Sequence, residues 1–313
     1  MEPLVSIVVI SYNSEKTIIE TLESIYNQKY KRLELIISDD CSKDKTIQLA
    51  SEWIKNHESR FENCKIISSE HNSGIPANLN RGVYKANGEW IKSIAADDAL
   101  EVSCISDNVE FVQNHPEVKI CHSIVTMYNG SFSENNKIEK EEYRHSIFTY
   151  ENSSPELQLR YCYIGVYIKA STLFFNKELI LQAKGFDERI KLCEDWPMYI
   201  KVCRLGVRFF FLDKHTVKYR LNPNSIYTGS MQGTLFPNFF SVDREIYRYY
   251  IKDCGILLVK LIWKYKLCLK TIFSSLNLNK NNICLRILFK IFSFPEKTME
   301  YLFLSYSRYI YLR

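Results

Sequence analysis

The chain has 313 residues, 46% hydrophobic and 25% charged, which suits a globular protein with a sizeable core and excludes a disordered or fibrous one. Its ten cysteines are scattered, without a C-x-x-C pair or a Cys/His grouping at zinc spacing, and read as small buried apolar residues in a reducing compartment. The net charge of +5 hides an asymmetry: residues 1–250 carry 30 basic against 33 acidic side chains, and residues 251–313 carry 11 against 3.

Met1-Glu2-Pro3 opens directly onto an apolar run with no basic leader, so the expected location is cytosolic. Residues 4–10 (LVSIVVI) have the β-branched, almost uniformly apolar pattern of a parallel strand covered on both faces. Ser11-Tyr12-Asn13-Ser14 is a polar turn, and Ser14 is expected to cap a helix over 15–28. A second strand over 33–38 runs into Asp39-Asp40, followed by a helix ending near residue 56. A third strand over 65–68, a helix over 76–86 and the Asn87-Gly88 break lead to a fourth strand that ends on Asp97-Asp98. This β-α-β-α-β-α-β alternation predicts a doubly wound α/β fold with a mostly parallel sheet, whose ligands bind beyond the carboxyl ends of the strands.

Two acid pairs then lie on one rim, Asp39-Asp40 and Asp97-Asp98. Adjacent carboxylates at the end of a buried strand repel unless a cation compensates them, and oxygen ligands suit Mg²⁺ or Mn²⁺. There is no G-x-G-x-x-G after the first strand and no G-x-x-x-x-G-K-[ST] anywhere, so a phosphate ligand on this rim calls for a metal rather than a glycine cradle.

Further on, a helix over 103–114, a strand over 118–127, a polar loop over 130–154, a strand over 171–175 and a helix to 183 are expected. Glu194-Asp195-Trp196 opens a helix over 194–205, where acids also serve simply to satisfy free backbone N–H groups. Residues 207–212 and 216–221 read as a closing hairpin. The basic, aromatic C-terminal segment suits amphipathic helices over 256–274 and 283–294, lying on an anionic membrane or packed as a helical cap. No apolar run is long enough to span a bilayer.

The segments Val5 to Asn13, Glu34 to Asp44, Asn72-Ser73-Gly74 with Asn80-Arg81-Gly82, and Ala95-Ala96-Asp97-Asp98, in this order and spacing, resemble the family-2 glycosyltransferases of GT-A fold. The likeness implies a nucleotide-sugar-binding half over 1–100, an acceptor and base half over 101–230, and a basic helical extension over 231–313. Carried over residue by residue, it implies that Ser11, Tyr12 and Asn13 line the nucleotide pocket. Asp39 receives the base, Arg81 approaches the donor, Asp97 sits by the ribose and the metal, and Asp98 is a direct metal ligand. Glu194-Asp195-Trp196 matches the family's catalytic acid motif, with Asp195 as general base and Glu194 as runner-up. Tyr219 to Ile226 resembles its Y-R-x-H-x-x-S loop, which makes Arg220 and Ser225 diphosphate contacts. Two positions depart from the pattern: Ala95 replaces the first acid of D-x-D-D, and Asn222 replaces the loop histidine.

The implied activity is inverting, metal-dependent transfer of a hexose or N-acetylhexosamine from a UDP-sugar to a lipid-linked glycan, in O-antigen or capsule synthesis at the inner face of the cytoplasmic membrane. No nucleic-acid partner is expected, and a homo-oligomer is compatible with the sequence. The competing readings are a sugar-nucleotide nucleotidyltransferase and a non-catalytic basic protein that binds membrane or nucleic acid.

Overall fold

The computed structural model describes residues 2–138, 146–221, 233–237 and 240–312. These form one nine-stranded sheet of order β3-β2-β1-β4-β8-β6-β9-β5, with β7 paired outside that path on β6. Four parallel strands make its first part: β1 (Val5–Ser11), β2 (Leu33–Asp39), β3 (Asn63–Ser68) and β4 (Trp90–Ala95). Helices α1 (Ile18–Tyr26), α2 (Thr46–His57) and α3 (Ile75–Lys85) connect them. Burial of every residue of β1 except Ile10 explains its unbroken apolar run, because helices cover both faces.

The remaining strands are β5 (Ala99–Leu100), β6 (Ile120–Asn129), β7 (Lys137–Ile138), β8 (Phe174–Asn176) and β9 (Phe210–Leu221), with helices α4 (Cys104–Asn114), α5 (Pro155–Cys162), α6 (Lys177–Gln182) and α7 (Asp195–Arg204). Antiparallel β8 inserts between β4 and β6, and β9 runs parallel to β6 before closing on β5 through the pairs Ala99–Lys218 and Leu100–Val217.

Two expectations are corrected. Ser14 does not cap α1: its hydroxyl bonds the Tyr12 carbonyl while its own carbonyl accepts from Thr17 and Ile18, and the helix starts at Ile18. The hairpin over 207–221 is one twelve-residue strand with a register shift against β6. Asp213-Lys214-His215 supplies neither the glycine nor the asparagine that a tight hairpin turn favours, and the strand runs on through it.

Close approach of α3 to the sheet depends on a missing side chain. A Cβ at Gly82 would stand 2.4 Å from Val8 Cγ1, so only glycine lets this helix lie down on β1. At the amino end of the sheet, fully buried Glu34 accepts from Ser6 Oγ at 2.5 Å, Asn87 N at 2.7 Å and Lys65 Nζ at 3.3 Å. That acid is spent on holding β1, β2, β3 and the α3–β4 turn together.

The C-terminal helices α8 (Ser241–Ile246), α9 (Leu257–Ser275) and α10 (Ile283–Tyr311) share the main core. Trp263 of α9 is buried, donates its indole N–H to the Tyr163 carbonyl at 2.7 Å, and lies 5.4 Å from the ring of Trp196 at the start of α7. Arg160 of α5 sits over the rings of Phe303 and Tyr311 of α10. The inner faces of these helices are therefore a cap on the sheet domain.

Candidate functional site

The loops after β1 and β2 are laced to each other. Asn13, at φ +50°, donates its N–H to Ser42 Oγ at 2.8 Å and accepts the Lys43 N–H on Oδ1 at 2.8 Å. Asp39 accepts from Ser11 Oγ at 2.9 Å, Ser42 Oγ at 2.5 Å and Ser42 N at 2.8 Å. Ser11 and Asp39 are buried in this lacing, whereas the Tyr12 ring stands exposed at the rim.

Asp40 is not half of an open acidic rim. Its carboxylate accepts from Ser73 N, Ser73 Oγ and Gly74 N at the amino end of α3, and from Arg81 at 3.3 Å. Burial pushes its carboxyl up, but these donors outweigh burial and hold it below the usual range. Arg81 is committed to the same knot, donating to Asp39 O, Asn78 Oδ1 and Ser73 Oγ. The expected four-carboxylate rim thus reduces to two.

Those two are Asp97 and Asp98, at the carboxyl end of β4. Asp98 is buried, and Arg220 N donates to its Oδ1 at 2.9 Å. Burial, and then the charge of Asp97, raise the Asp98 carboxyl well above the usual range, against the pull of Arg220 and Lys169. Burial raises Asp97 as well. The charge of Asp97 bears on a buried Asp98 carboxyl, so the pair is short of positive charge.

Arg220 reaches this pair but is already engaged. It donates to Asp97 O at 2.8 Å, to Gly130 O at 2.6 Å and to the Glu20 carboxylate, and its guanidinium lies 4.1 Å from the Phe132 ring. Ser225 and Asn222 lie outside the described residues.

The route to Asp195 passes along the amino end of α3. Asn80 Nδ2 donates to Phe186 O and Glu188 Oε1, and Ile75 N donates to Lys191 O at 3.0 Å. This delivers Glu194 and Asp195 to the carboxyl-end side of the sheet. Asp195 Oδ1 accepts from Trp196 N at 2.7 Å and from the Cys193 thiol at 3.3 Å. Burial raises the Asp195 carboxyl. It pushes Glu194 up to about 8, with the Asp195 charge adding to it. Burial also raises Cys193 well above its ordinary value, so it is a neutral thiol donating to Asp195 and not a nucleophile.

Sequence reasoning missed two lysines. Lys169 lies 5.0 Å from the Tyr219 ring, and its charge favours the ionised forms of both Asp98 and Asp195. The turn that carries it is anchored on three sides. Tyr199 of α7 donates to Ile168 O at 3.4 Å, and Tyr219 belongs to β9. Fully buried Lys92 of β4 donates to Ser171 O at 2.7 Å and Leu173 O at 3.3 Å. In the same turn Ser171 Oγ is buried without a hydrogen-bond partner among the described residues. A lone lysine inside the apolar strand Trp90–Ala95 was a visible signal for Lys92; nothing local marked Lys169.

Among the described residues no three His, Cys, Asp or Glu side chains converge on one point. A half-buried and a buried carboxylate side by side nonetheless fit a hard divalent cation that takes its remaining ligands from water and a phosphate-bearing substrate.

A family model described as "Glycosyl transferase family 2" matches residues 6–182. An uncharacterized glycosyltransferase of Haemophilus influenzae is 29% identical over 266 residues, spanning 81% of this chain and 76% of that protein. The putative teichuronic acid biosynthesis glycosyltransferase TuaG of Bacillus subtilis is 24% identical over 225 residues, with 72% of this chain and 82% of the relative covered. In fold, the chain is similar to S. aureus TarS 1-349 in complex with UDP-GlcNAc, with a TM-score of 0.59 at 20% identity over 84% of this chain and 72% of that one.

Proposed function

Since this chain belongs to glycosyl transferase family 2, we propose that it transfers a hexose or N-acetylhexosamine from a UDP-sugar to a hydroxyl of a lipid-linked glycan, with inversion. The observation that carries the reading is that Asp98 and Asp195, from elements far apart in sequence, both feel the charge of Lys169. This supports a reading in which the charge-poor acid pair and the raised carboxyl serve one reaction.

Asp97 and Asp98 would hold Mn²⁺ or Mg²⁺, which when bound neutralises a departing diphosphate. Both hydrogen-bond donors to Asp195 sit on Oδ1, so Oδ2 is the oxygen that takes the proton from the acceptor hydroxyl. The deprotonated oxygen bonds to the anomeric carbon as the bond from that carbon to the diphosphate oxygen breaks on the opposite face. The electron pair leaves on the diphosphate, beside Lys169. Glu194, protonated near neutral pH, keeps a second negative charge away from the base. Tyr12 is placed to stack on the nucleotide base. The polysaccharide setting is supported by the relative from teichuronic acid biosynthesis. O-antigen or capsule synthesis at the inner membrane face is the setting we assign.

The test is a donor screen across UDP-, GDP- and dTDP-sugars with Mn²⁺ or Mg²⁺, following release of nucleoside diphosphate. Release from UDP-sugars that needs metal and is lost in Asp195→Asn supports the reading. Pyrophosphate release from a nucleoside triphosphate plus sugar phosphate would overturn it. With one acid of the usual set replaced by Ala95, Mn²⁺ should bind weakly alone and at least tenfold more tightly with UDP, as titration calorimetry would read.

A further inference from the structure

Helix α10 is amphipathic in an inverted sense. Its buried side carries Phe303 and Ser307 against α5, and Phe289 packs on Phe236 and Phe273. The opposite side should be polar if solvent covers it. Instead Ile283, Ile287, Ile291, Phe294, Tyr301 and Leu302 follow one another at helical spacing along it, each between 55% and 74% exposed. From Ile283 to Leu302 this makes an apolar stripe about 30 Å long.

Charge is sorted along the same helix. Arg286, Lys290, Lys297 and Arg308 recur along one border of the stripe. The two acids, Glu296 and Glu300, are turned inward, with side chains 6% and 13% exposed. An apolar face edged by cations, with no carboxylate on the outer side, complements an anionic bilayer surface and gives a protein surface little to pair with. Among the described residues no helix is long and apolar enough to cross a membrane, so the arrangement is one for lying in the interface.

We propose that the outer face of α10 is a lipid-docking surface, seated in the headgroup region of an anionic bilayer with its arginines and lysines on lipid phosphates. The position in the fold gives the docking a use. Helix α10 packs on α5, and α5 packs on α7, whose first residue is Asp195. One helix layer thus separates the bilayer from the helix that begins with the base, a geometry suited to an acceptor carried on lipid. The docking itself needs no sugar chemistry; only this last use rests on the reading above.

The experiment floats the full chain with vesicles of phosphatidylcholine alone or with phosphatidylglycerol added. Phosphatidylglycerol vesicles should carry the protein, phosphatidylcholine vesicles should not, and salt should weaken the binding. The variant Ile287→Gln/Ile291→Gln/Phe294→Gln should lose roughly tenfold or more of the binding. Arg286→Gln/Lys290→Gln should lose part of it. Both should release UDP from the donor at the parent rate, which excludes misfolding. Failure of anionic vesicles to float the parent chain overturns the proposal. So does a dimer, seen by sedimentation equilibrium, that the triple variant dissolves while vesicles bind neither form, because a second copy then covers the face. Vesicle flotation uses no sugar nucleotide and donor hydrolysis uses no vesicle, so the docking surface and the proposed transfer can fail separately.

Discussion

Asp39-Asp40 and Asp97-Asp98 are the same dipeptide at the same end of two strands that flank β1, and the fold treats them oppositely. The first pair is saturated. Ser11, Ser42, Ser73, Gly74 and Arg81 supply its hydrogen bonds, and Asp40 is held below the usual carboxyl range despite its burial. The second pair has one backbone N–H on Asp98 and a raised carboxyl on each residue. Donors, more than acids, separate a saturated pair from one left short of positive charge.

The sharpest way to break this contrast is to remove one acid from each pair. Asp98→Ala should lower transfer by about a thousandfold or more, yet melt at or above the parent temperature because a buried repulsion is relieved. A variant that melted several degrees lower would put Asp98 among the structural acids. Asp40→Ala should do the reverse, costing about 3 kcal/mol of stability by orphaning its donors and Arg81 while the folded fraction keeps its turnover. Its pH dependence has a fixed sign. A lowered carboxyl contributes stability above its unfolded value and loses it as pH falls through the folded one, so Asp40→Asn should flatten the acid side of a denaturation curve.

Smaller effects test the charges around the open pair. Lys169→Met should cost roughly 10–100-fold in kcat/KM with UDP-sugar, and Lys169→Arg should recover part of it; equal loss in both would mean the ammonium matters only for packing. The smallest expected change is in the pH profile. Burial raises Asp195, so the acid limb of kcat/KM should lie above the ordinary carboxylate range. Glu194 is already neutral on that limb, so Glu194→Gln should leave it in place; loss of the limb in this variant would give the base role to Glu194.

The parallel half of the fold was legible because covered strands must be apolar on both faces, as β1 and β2 are. Asp97-Asp98 and Glu194-Asp195 were legible as acids at element ends. The misreadings came from partners distant in sequence. Nothing near Asp40 announces Ser73, Gly74 and Arg81, which arrive from the next strand and helix. Ser14 had the right chemistry for a cap and spent it on Tyr12. The single strand β9 was misread by giving its polar middle more weight than its missing turn residues. Lys169 is brought towards Asp98 and Asp195 only through β4, β9 and α7 together, which no local pattern encodes.

The pairing of β9 with β5 also sets an order of events. Residues 5–95 contain a complete parallel four-stranded sheet, and its contacts are available as soon as that stretch leaves the ribosome. Asp98, however, meets the backbone N–H of Arg220 across 122 positions of chain. Closing so long a loop is slow compared with forming neighbouring strands. The half-made molecule therefore carries a folded parallel sheet with neither Asp195 nor the strand that meets Asp98. A nascent chain in that state holds only half of the candidate site, which is complete only when the second half is threaded against the first.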